Sequence, residues 1–73
     1  MTNEEKLAAY EAMQAFVKER YRAAADRMAE LKAAGREKSA TYRQMMGDKM
    51  QYQSMLLLYQ MYGLEGADWR DTP

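Results

Sequence analysis

The feature that most constrains this chain is a helical run of apolar residues that is broken only once. Tyr10, Met13, Val17, Tyr21, Ala24, Met28 and Leu31 recur at intervals of three or four, so they form a single stripe along an α-helix. Thr2-Asn3-Glu4-Glu5 reads as a capping box ahead of that stripe, with the Thr2 hydroxyl serving the Glu5 amide and the Glu5 carboxylate reaching back. Ala33-Ala34-Gly35 reads as its end, because Gly at C′ enters the left-handed region without steric cost. Ser39 suits the N-cap of a second helix, and Tyr62-Gly63-Leu64 suits its C-terminus, with Leu64 making the apolar contact of a Schellman motif.

These signals predict an all-α protein, an antiparallel two-helix hairpin with helix 1 over residues 3–34 and helix 2 over residues 40–62. The domain spans residues 1–64, followed by an irregular acidic tail over 65–73 whose Trp69 folds back over an exposed apolar end. A single continuous helix is the rival, since Leu31 to Tyr42 spans close to three turns and keeps the stripe in phase. It would place Gly35 and Lys38 or Ser39 on the stripe, and these are poor core residues.

Composition narrows function more than it defines it. The chain has no His and no Cys, so the commonest general base, the most reactive nucleophile and the usual ligands of zinc, haem and iron-sulfur centres are missing. Ser39, Thr41 and Ser54 have no sequence-visible base, Asp26 and Glu30 project from an outer face, and no glycine-rich phosphate loop is present. The expectation is a non-enzymatic protein with no catalytic residues, no cofactor and no metal. The start is acidic and the longest apolar run, Met55 to Tyr59, is far shorter than a signal-peptide core or a membrane span. A cytoplasmic protein with no membrane contact is expected, and the lack of cysteine fits a reducing compartment.

Helix 2 carries two apolar flanks, Met46, Met50, Leu57 and Met61 on one side and Met45, Tyr52, Leu56 and Tyr59 on the other, divided by a polar line of Lys49, Gln53 and Gln60. A turn near Glu37 pairs Met28 with Met46, Ala24 with Met50, Val17 with Leu57 and Met13 with Met61. The first flank then faces helix 1. The second flank, Met45, Tyr52, Leu56 and Tyr59, is left as the expected self-association interface, closing two hairpins into a homodimeric four-helix bundle. Gln53 and Gln60, near the bundle interior, are expected to bond across helices to Tyr21 or Tyr10 or to a symmetry mate. Residues 18–49 carry a side-chain charge of +4, while 1–17 and 50–73 each carry −2, which favours two copies lying head to tail. Arg20 and Arg27 fall beside the patch of Ala9, Ala12, Phe16 and Ala23, where their stems can cover apolar surface while their guanidinium groups either reach acids at a subunit boundary or snorkel to water.

Two other binding classes have some support in the sequence. Met46 and Met50 could offer two thioethers to a soft metal, but core packing accounts for them more simply, and a Met- and Tyr-rich surface also suits a further protein partner. Lys32, Arg36, Lys38 and Arg43 gather basic charge at the turn, the one candidate contact to nucleic acid. Glu30, Glu37 and Asp48 dilute it, the formal charges of the whole chain cancel, and no groove-reading motif accompanies it.

Overall fold

The computed structural model describes residues 1–63. Two helices, α1 (Asn3–Ala33) and α2 (Ala40–Met61), pack against each other along the chain, and the described residues contain no strand. The hairpin, not the single long helix, is therefore the fold. Leu64, Trp69 and the tail lie outside the described residues, as do the expectations attached to them.

Local chemistry sets the ends of both helices. The Glu5 amide donates to Thr2 Oγ1 at 3.1 Å and the Thr2 amide donates to Glu5 Oε1 at 3.3 Å, which completes the capping box. At the other end of α1, the Arg36 amide donates to the Leu31 carbonyl at 2.8 Å and the Gly35 amide to the Lys32 carbonyl at 3.0 Å. That is the double bond pattern of a Schellman motif, and Gly35 supplies its left-handed residue at φ 73°. Ser39 then starts α2. Its hydroxyl accepts from the Tyr42 amide at 3.1 Å and donates to the Arg36 carbonyl at 2.8 Å, tying the cap to the turn. Gly63, at φ 72°, follows the end of α2 as expected.

A Cβ at Gly35 would meet nothing within 4 Å, so the cost of replacing this glycine lies wholly in the backbone. Gly35→Val is expected to destabilise the hairpin by about 1–2 kcal/mol, and Gly35→Asn by clearly less, because Asn tolerates the left-handed region. Thermal melts followed by circular dichroism measure both. Equal stability of Gly35→Val and the parent chain would contradict this account of the turn.

The seam between the helices differs from the sequence expectation on both helices. On α1 it runs through Tyr10, Gln14, Val17, Tyr21, Ala24, Met28 and Leu31, so Gln14 takes the place expected of Met13. Gln14 is 8% exposed and Met13 43%. On α2 the seam runs through Tyr42, Met45, Lys49, Tyr52, Leu56 and Tyr59. Leu56, 0% exposed, and Tyr59 are buried around Val17, with Tyr10, Tyr21, Tyr52, Met55 and Leu57 packed against them. The flank assigned to self-association is therefore the intrachain seam. The flank assigned to the seam is largely at the surface, with Met46, Met50 and Met61 exposed.

The reason is geometric. Pairing residues across a hairpin by their distance from the turn fixes height along the axes but leaves rotation about each axis free. Val17 meets Leu56 where Leu57 was expected, and one residue along a helix is about 100° of rotation. The aromatic flank settles that rotation, since each ring buries far more surface than a thioether and matches the tyrosines of α1. Tyr10 and Tyr59 meet edge to face with centroids 5.4 Å apart. Lys49 remains in the seam by laying its ammonium over the Tyr21 ring, 5.7 Å from the centroid.

Candidate interaction surfaces

With Met45, Tyr52, Leu56 and Tyr59 occupied inside the hairpin, the surfaces open to another molecule are those that the seam leaves out. One lies on α2, where Met46 and Met50 stand exposed with Met61 beyond them. The thioether pair expected to be packed is thus at the surface. The other lies on α1 beside the seam, where Ala9, Met13, Phe16, Arg20, Ala23 and Arg27 share one face and are all exposed. There the Arg20 guanidinium sits over the Phe16 ring at 5.2 Å from its centroid. Arg27 pairs instead with Glu30 of its own helix at 3.0 Å. A groove between the helices adjoins this face, lined by Arg20, Ala23, Ala24, Met45, Asp48 and Tyr52. Asp48 accepts a hydrogen bond from Gln44 at 3.0 Å.

The polar line of α2 is split by the observed rotation. Lys49 enters the seam, while Gln53 and Gln60 are half-buried at its edge. Gln60 Oε1 is buried and accepts no hydrogen bond within the chain, so of the partners expected of this oxygen only a symmetry mate remains. A desolvated carbonyl without a donor costs about 1–3 kcal/mol. Gln60→Leu is accordingly expected to stabilise the fold by about 1 kcal/mol, raising the melting temperature by about 4–8 °C. A lowered melting temperature would show that the amide makes a needed interaction.

Lys32, Arg36, Lys38 and Arg43 are all exposed, and they lie in and around the turn between α1 and α2, as the sequence indicated. Glu37 is exposed in the same turn. The described residues contain no cluster of acids able to hold a metal ion, and no described helix is long and apolar enough to cross a membrane. No family model, curated protein or solved structure matches this chain.

Proposed function

We propose that this chain is a small non-enzymatic protein-protein interaction or scaffolding module that self-associates, two hairpins forming a homodimeric four-helix bundle. The observation that carries this reading is an incomplete core. Among the described residues only Gln14, Val17, Ala24, Leu31, Leu56 and Tyr59 are buried, and one of these is polar. A seam of that size does not offset roughly 1.5 kcal/mol of conformational entropy per ordered residue.

A cytoplasmic location belongs to the proposal, supported by a sequence without cysteine.

Melting at a series of concentrations tests the reading. If folding and association are coupled, each tenfold dilution removes about 1.4 kcal/mol and lowers the midpoint by about 4–5 °C. A midpoint independent of concentration would contradict it. The exposed basic residues at the turn support a second reading, a nucleic-acid-binding accessory protein using Lys32, Arg36, Lys38 and Arg43. Titration with a duplex and a single-stranded oligonucleotide decides between them. The interaction module gives no binding at physiological salt, whereas the second reading requires affinity that falls steeply as salt rises.

A further inference from the structure

The self-association reading leaves open which surface meets the second copy, and in which direction. We infer that it is the Phe16 face of α1, packed antiparallel against the same face of a second copy about a two-fold axis near the middle of the helix. This inference rests on the proposal above and adds the surface and the orientation.

Charge chooses the element and the direction. Within residues 1–17, three acids face one base, a side-chain charge of −2; within residues 18–33, five bases face three acids, a charge of +2. All of these residues but the first two belong to α1, so this helix is acidic at its start and basic at its end. Set antiparallel on itself, it places each acidic half against a basic half, while a parallel arrangement juxtaposes like charges. The described part of α2 has no such polarity, since its only charged residues are Arg43, Asp48 and Lys49. The Met46 and Met50 surface therefore lacks the feature that would orient a second copy.

The shape of the face agrees. Phe16 is 52% exposed, and aromatic residues, Phe among them, are enriched at interfaces over the rest of the surface. Ala9 and Ala23 flank it with small side chains that allow a second helix to approach. For α1, Asn3–Ala33, the midpoint falls near residue 18. An axis there sets Phe16 of one copy beside Arg20 of the other, so the stacking seen within one chain is available between chains.

The absence of native cysteine makes the test direct. Ala8→Cys and Ala15→Cys, at exposed positions of α1, each carry the only spin label in their chain. Across the inferred axis, two labels at position 8 are separated along the helix by about 30 Å and two at position 15 by about 9 Å, at 1.5 Å of rise per residue. Pulsed electron resonance is expected to give a clearly longer distance at position 8. Equal distances at the two positions would overturn the antiparallel arrangement and leave self-association standing. A folded chain with no intermolecular distance at either position would overturn both.

Phe16→Lys and Met50→Lys then identify the surface. Loss of the intermolecular distance in Phe16→Lys, with its retention in Met50→Lys, is the expected result, and the reverse pattern overturns the choice of face. The label distances leave the face unaltered, so they test the orientation whatever Phe16→Lys does to folding.

Discussion

Leu56→Ala is expected to cost about 2–5 kcal/mol, the range for a large-to-small change in a packed core. Leu56 is the one described side chain with no exposed surface, and it sits at the point where Val17, Tyr59 and Tyr52 converge. Removing its branch leaves a cavity walled by helices that cannot close on it without breaking the alternation of the seam. Because a core this small rarely supplies more than about 3–5 kcal/mol in total, the variant should be largely unfolded at room temperature. Urea titration followed by circular dichroism measures the loss. Met61→Ala is the contrast: at 80% exposure it should stay within about 0.5 kcal/mol of the parent. Similar losses for the two variants would return Met61 to the seam and refute the rotation described above.

Tyr59→Ala should be nearly as severe, about 3–5 kcal/mol, by analogy with other large aromatic truncations. Tyr59 is buried, it closes the seam near the free ends of the two helices, and its ring packs edge to face on Tyr10. Most of the expected loss is apolar burial, with about 0.5–1.5 kcal/mol from the ring pair itself. Tyr10→Ala in the background of Tyr59→Ala should then cost less than Tyr10→Ala alone, the difference being their coupling. Additive losses would mean that the rings touch without supporting each other.

How much of this architecture could be read from the sequence depends on how local its cause is. The capping box at Thr2 and Glu5, the left-handed Gly35 and the Ser39 cap each depend on residues within a few positions, and each is where the sequence placed it. Both helix boundaries fall within one residue of expectation for the same reason. Rotation of α2 depends on contacts some forty residues apart along the chain, between Val17 and Leu56, and periodicity within a single helix does not constrain it. Two apolar flanks of similar size left both rotations open, and the aromatic content of Tyr52 and Tyr59 was the signal for the one adopted. Gln14 falls outside an apolar stripe because its side chain is polar, although it completes the regular alternation of four and three between Tyr10 and Val17.

With Leu56 and Tyr59 buried inside the chain, the interface of the proposed dimer moves to the exposed apolar groups of α1, Phe16 and Met13 among them. The basic turn keeps its exposure in either arrangement.

Sedimentation velocity on the unmodified full chain at micromolar concentration tests the central claim most directly. The account predicts a single folded species at twice the 8.5 kDa chain mass, giving way on dilution to a mixture that has lost helicity. A sharp boundary at the mass of one chain, with full helicity and a cooperative melt, would contradict it.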